Sequence, residues 1–103
     1  MIRGTTPTIT YTFPIDMSNV QKFRMYFIQG SEVVLEKTEE DCSIVGNTVK
    51  TTLSQEETYS LSTKKLLITK ARFLTNDGKV YGTKGMNIRV EGNDTSGSEV
   101  LSV

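Results

Sequence analysis

Between Val20 and Glu36 the chain reads VQKFRMYFIQGSEVVLE. Phe23, Met25 and Phe27 recur at every second residue, with Lys22, Arg24 and Tyr26 between them. Successive side chains of a strand point to opposite faces, so this spacing predicts a strand with one buried and one exposed face. Gln29-Gly30-Ser31 then supplies turn residues. Val33 and Leu35 begin a second run in which Glu32 and Glu36 face outward. Two alternating runs joined by a short Gly-containing turn predict a β-hairpin.

The same alternation extends in both directions. Upstream, Ile9, Tyr11 and Phe13 alternate with Thr8, Thr10 and Thr12, and Pro14, which cannot donate to a ladder, ends that strand. Asp16-Met17-Ser18-Asn19 is read as a loop. Downstream, residues 37–41 are charged and expected to be exposed. Ser43 to Gly46 forms a short strand, Gly46-Asn47 a turn, and Val49, Thr51 and Leu53 the buried face of a further strand. Ser54 followed three residues later by Glu57 is a capping box, and it predicts one helical turn near 54–59, pinned to the core by Leu61. Leu67, Thr69, Ala71 and Phe73 are the inward face of a long strand. Leu66 and Ile68 interrupt its outward polarity, as if that end were covered on both sides. Met86, Ile88 and Val90 form the last strand, and residues 92–103, rich in Gly and Ser, are expected to be a flexible tail. About seven short strands at near-regular spacing predict a single all-β domain over 1–91, either sandwich or barrel.

Composition agrees with that reading and excludes much function. Thr occurs fifteen times and Ala once, a balance that favours strands over helices. Twelve basic residues cancel twelve acidic ones, and they are scattered, so no footprint for nucleic acid is expected. The absence of His removes the commonest general base and a common metal ligand. The single Cys42 can form no intrachain disulfide, and beside Glu40 and Asp41 its thiol should be poorly ionised. The start MIRGTTPT has no apolar core of a signal peptide, and no apolar run approaches a membrane span. Synthesis in a cytoplasm, without membrane insertion, is the expectation.

Individual motifs add little chemistry. Asn76-Asp77-Gly78, between two alternating runs, is a turn signal. A calcium loop fails there on register, because Phe73 and Lys84 would occupy its first and twelfth positions. Glu39-Glu40-Asp41 reads as a solvated charge run. Asn93-Asp94-Thr95 fits the N-glycosylation triplet without a secretion signal to support it. The carboxylates are expected at exposed or loop positions, with no cleft to pair two of them, so no catalytic, cofactor or metal residue is assigned and no enzyme is expected. Tyr26, Tyr59 and Tyr81 could serve a carbohydrate platform, although such platforms usually carry Trp and this chain has none. The outward apolar residues Ile28, Val34 and Leu74, together with Tyr26, are the candidate interface.

The order of these features resembles a known family. Arg3-Gly4-Thr5-Thr6-Pro7-Thr8, a strand ending in Phe13-Pro14, and Phe23-Arg24-Met25-Tyr26-Phe27 are followed by Gly46-Asn47-Thr48-Val49 and Thr52-Leu53-Ser54-Gln55-Glu56-Glu57-Thr58. Lys70-Ala71-Arg72-Phe73, Asn76-Asp77-Gly78-Lys79 and Met86-Asn87-Ile88-Arg89-Val90 close the series. Over about residues 4–91 this is similar to the amino-terminal immunoglobulin-like domain of siphophage baseplate upper proteins, and to small prophage structural proteins of Gram-positive bacteria. The resemblance implies an immunoglobulin-like β-sandwich, location in a virion, and assembly with other virion proteins or with copies of itself. It carries over no catalytic residue. The alternative expectation is a carbohydrate-binding or cell-surface adhesion module.

Overall fold

The computed structural model describes residues 1–92 and 100–102. Eight strands run through the described residues: β1 (Thr8–Thr12), β2 (Val20–Gln29), β3 (Glu32–Thr38), β4 (Ser43–Val45), β5 (Thr48–Thr52), β6 (Leu67–Thr75), β7 (Val80–Gly82) and β8 (Met86–Ile88). One short helix, α1 (Gln55–Tyr59), lies between β5 and β6. The strands form two antiparallel sheets. One has the order β1-β5-β4; the other has the order β3-β2-β6, with β7 and β8 both paired along the far side of β6. This is an immunoglobulin-like sandwich. β1, β5 and β4 take the places of its B, E and D strands, β3, β2 and β6 those of C′, C and F, and β7 and β8 share the place of G. One parallel bridge, Ile2 to Glu91, ties the start of the chain beside its last strand.

The core follows from the alternation. Phe23, Met25 and Phe27 of β2 and Leu67, Ala71 and Phe73 of β6 face Ile9, Phe13, Val49 and Leu53 from the smaller sheet, and all are buried. Phe13 meets Phe23 and Phe73 edge-on, at centroid distances of 6.1 and 5.5 Å, the geometry that ring quadrupoles favour. Met17 and Leu61 plug the space at the connections. Leu61 is 1% exposed, which fulfils its expected part in holding α1 against the core.

The capping box is present in full. The Ser54 hydroxyl accepts from the Glu57 N–H at 3.1 Å, and the Glu57 carboxylate accepts from the Ser54 N–H at 2.9 Å. The helix it starts is five residues long.

Three local expectations need correction. Residues 37–41 are not simply an exposed loop: β3 continues through Thr38, and Glu39–Asp41 forms a 3-10 turn. A bulge separates the pairs Phe27–Leu35 and Ile28–Val33 and leaves Val34 as the extra residue, which breaks the simple alternation predicted for β3. Ile68 is not covered from both sides by described residues. It stands half-buried on the outer face of the sheet beside its pairing partner Ile28, and Leu66 is exposed.

The expectation of a flexible tail falls mostly on residues 93–99 and 103, which lie outside the described residues, as does the Asn93-Asp94-Thr95 triplet. Within the described part, the Gln55 side chain holds the Leu101 backbone on both sides: it donates to the Leu101 carbonyl at 2.6 Å and accepts from the Leu101 N–H at 2.8 Å.

The turn chemistry is also more specific than the sequence suggests. Asp77 does not take a positive φ; Gly78 alone does, at 84°. Thr75 pairs with Lys79 through its N–H, and Gly78 N–H returns to the Thr75 carbonyl, giving a three-residue hairpin loop closed by a left-handed glycine. A Cβ on Gly78 would meet nothing within 4 Å, so backbone strain is the whole penalty of adding one. At the β2–β3 turn both central residues are left-handed, Gly30 at 56° and Ser31 at 70°. Hence Gly78→Ala should lower the unfolding free energy by about 1 kcal/mol. Ser31→Gly should raise it by about 0.5–1 kcal/mol, because glycine adopts positive φ without the Cβ clash. Urea denaturation of the two variants measures both, and the signs should be opposite.

Candidate functional site

The two outward faces of the sandwich differ sharply. The smaller sheet presents Thr8, Thr10, Thr12, Ser43, Lys50 and Thr52, all exposed, with Val45 as its apolar exception. Thr8 and Thr52 pair across strands through their hydroxyls at 3.0 Å. Such a face is readily hydrated.

The outer face of the five-stranded sheet is laid out in rows by the ladder register. Val33, Ile28 and Ile68 lie side by side on β3, β2 and β6. The next row is Glu36, Tyr26 and Lys70. After it come Thr38, Arg24, Arg72 and Gly82, and then Lys22, Leu74 and Val80. Val33 and Val80 are 57% and 60% exposed, which is high for large apolar side chains within strands. Lys22, Arg24, Tyr26, Arg72, Phe73, Leu74 and Val80 line a shallow depression of about 210 Å³.

Of the four candidate interface residues, Tyr26, Ile28 and Leu74 come together on this face. Val34 does not. Displaced by the bulge, it is half-buried and packs against the core, and Val33 takes the outward place beside Ile28. Period-two counting cannot see a bulge, so the sequence reading chose the wrong one of two adjacent valines.

The charges on and beside this face have distinct settings. Arg24 reaches the carboxylate of Glu39, with Glu36 at 3.8 Å. Glu39 also accepts from the Phe23 N–H at 3.4 Å, so it caps a ladder position beyond the end of β3. Lys37 is different: opposite the buried Met25, it lies on the inward side of the sheet edge, with its side chain 13% exposed. Its ammonium donates to both oxygens of Glu57, at 2.9 and 2.7 Å. An inward charge on an edge strand blunts that edge against pairing with another chain. The expectation that every carboxylate stands at an exposed or loop position fails at Glu57, which is half-buried on α1.

Burial alone would raise the Glu57 carboxyl, but hydrogen bonds from Lys37 and the Ser54 N–H, with the Lys37 charge, outweigh it and hold the group below its ordinary value of 4.5. Burial pushes the Cys42 thiol above its ordinary value; a hydrogen bond to Thr51 and the Lys37 charge oppose this, and the Asp41 and Glu39 charges add to it.

The tyrosines separate. Tyr26 belongs to the sheet face. Tyr11 donates to the Thr69 carbonyl across the sandwich at 2.7 Å and is structural. Tyr59 lies under the start of the chain: Arg3 donates to its carbonyl at 2.7 Å and stands 5.8 Å above its ring. Gly4, at φ 79°, passes so close that a Cβ would fall 2.6 Å from that ring. Tyr81 stacks on Phe73 at 5.4 Å and lines a second depression, of about 290 Å³, with Ile15, Asp16, Asn19, Thr75, Asn76 and Asp77.

Among the described residues there is no cluster of three His, Cys, Asp or Glu side chains placed to hold a metal, and no helix long and apolar enough to cross a membrane. No family model matches the chain, and no curated protein or solved structure matches it significantly.

The Lys37–Glu57 pair generates a pH prediction. A carboxyl depressed in the folded state stabilises above its unfolded pKa, and that contribution is lost as pH falls through the folded value. Glu57→Gln keeps the acceptor for the Ser54 N–H but removes the charge. It should lower the unfolding free energy by about 1 kcal/mol at neutral pH. The gap from wild type should hold above the ordinary value of 4.5 and close at more acid pH. Urea titrations across that range check it; a gap independent of pH would assign the loss to packing instead.

Proposed function

We propose that the chain is a structural protein of a phage or prophage particle, a tail- or baseplate-associated immunoglobulin-like module that works by protein–protein assembly and performs no bond chemistry. The observation that carries this reading is the outer face of the five-stranded sheet. There Val33 and Val80 are exposed, and Ile28, Ile68, Tyr26 and Leu74 half-buried, on the outward side of one ladder. Exposed apolar side chains grouped on one sheet face, here interleaved with the Arg24 and Arg72 row, mark a candidate interaction site. The sequence resemblance to baseplate upper proteins supplies the setting.

The test is incorporation. Density-purified particles from a host carrying the chain should contain it at a fixed ratio to the major tail protein, detected with an antibody against the chain. Ile28→Lys, outward and half-buried, should reduce incorporation at least tenfold while the thermal unfolding temperature stays within a few degrees of wild type. A chain found only in the soluble fraction would overturn the proposal.

A second reading, carbohydrate binding, is supported at one place. Tyr81 offers an aromatic surface held in position by Phe73, and Asp16, Asn19, Asn76 and Asp77 surround it with groups suited to sugar hydroxyls. If this reading holds, a glycan array gives binding that Tyr81→Ala abolishes and Tyr26→Ala leaves unchanged. An array without signal removes it.

A further inference from the structure

The assembly reading leaves the partner open, and the register of the outer face narrows it. Tyr26 sits at the centre of a row with Glu36 on one side and Lys70 on the other. Glu36 has its carboxylate half exposed, with Arg24 3.8 Å away, and Lys70 is exposed with no carboxylate in salt-bridge range among the described residues. In the adjacent row Val33, Ile28 and Ile68 are apolar, and Asn87 of β8 ends the row beyond Ile68.

Consider a two-fold axis running along β2 through Tyr26. It exchanges the β3 side of one copy with the β6 side of the other. Glu36 then faces Lys70 of the second copy, twice, and Val33 faces Ile68, twice. Tyr26 and Ile28 meet their own counterparts on the axis. A self-complementary patch of this kind is what an isologous dimer requires.

We infer that the partner of this face is a second copy of the same chain, docked sheet to sheet about β2 with reciprocal Glu36–Lys70 ion pairs. The inference rests on the assembly reading and specifies it.

The remaining charges are compatible with this arrangement. Arg24 meets its own counterpart, but its charge is already answered within the chain by Glu39 and Glu36. Lys22 lies four residues from Tyr26, roughly 14 Å along the strand, at the end where two twisted sheets diverge. With the axis on β2 the contact spans three strands, β3, β2 and β6, by about seven residues, roughly 330 Å² from each copy. That is the size of a weak, concentration-dependent interface, one that gains strength when many copies are held in one array. The hydroxyl-rich face of the smaller sheet offers no comparable apolar row.

Charge exchange tests the pairing. The full-length chain and the variants Glu36→Lys and Lys70→Glu would be compared by sedimentation velocity over a concentration series at low salt, with circular dichroism confirming that each variant is folded. Wild type should form dimers, and each variant should dimerise at least tenfold more weakly, since like charges then face each other twice. Mixing the two variants should restore association, because in the mixed dimer each position 36 again faces a position 70 of opposite charge. A wild type that stays monomeric at every concentration would overturn the second-copy inference. Dimers of wild type without rescue in the mixture would overturn the Glu36–Lys70 pairing. Either failure leaves incorporation into particles, through a different protein, to be judged by its own experiment.

Discussion

The antiparallel ladder between Phe23–Ile28 and Ile68–Phe73 sets both faces of the molecule at once. In a strand the side chains alternate strictly, so the register that sends Phe23, Met25 and Phe27 inward must send Arg24, Tyr26 and Ile28 outward. A slip by one residue would bury Arg24 and expose three large apolar groups. The core therefore fixes the surface: the rows of the outer face cannot be rearranged without unmaking the interior. Fully burying side chains the size of Phe23 and Phe27 contributes roughly 2–3 kcal/mol each, which is large against the marginal stability of a domain this size.

Around that ladder, buried polar groups close the open ends of the sandwich. Gln29, 5% exposed, donates to the Ser62 and Lys65 carbonyls at 2.8 and 3.1 Å and accepts from the Ser62 N–H at 3.0 Å, so it staples the end of β2 to the connection after α1. Tyr11 bonds across to Thr69, joining the two sheets where aliphatic packing alone would leave their angle less defined. Lys37 and Glu57 tie the β3 edge to α1. Each makes its group costly to leave unpaired, and together they favour this arrangement over other compact ones.

Much of this was legible in the residue order because it depends on local periodicity. The strands, the capping box at Ser54 and Glu57, and the inward faces of β2, β5 and β6 each follow from a pattern a few residues long. What was not legible depends on partners distant in sequence. The bulge at Val34 is a property of two strands and shows in neither alone. Gln29 reads as a turn residue until its partners at Ser62 and Lys65 are known, and Lys37 reads as a surface charge until Glu57 comes beside it. Tyr26, Ile28 and Leu74 face outward as their alternation predicts; Val34, beside the bulge, does not. The same register that sequence alternation hints at, once fixed by pairing, also brings Glu36, Tyr26 and Lys70 into one row.

A sandwich with one hydrated outer face, on the smaller sheet, and one charge-patterned outer face bearing apolar groups, on the larger, is suited to stacking without chemistry. The central claim is that association runs through the patterned face. Amide chemical shifts followed by NMR over a dilution series test it most directly, because they report location as well as association. The account predicts concentration-dependent shifts clustered in residues 24–28, 33–36 and 68–72, with Thr8–Thr12 and Thr48–Thr52 unmoved. Shifts confined to those two threonine-rich strands, or none at any concentration, would contradict it.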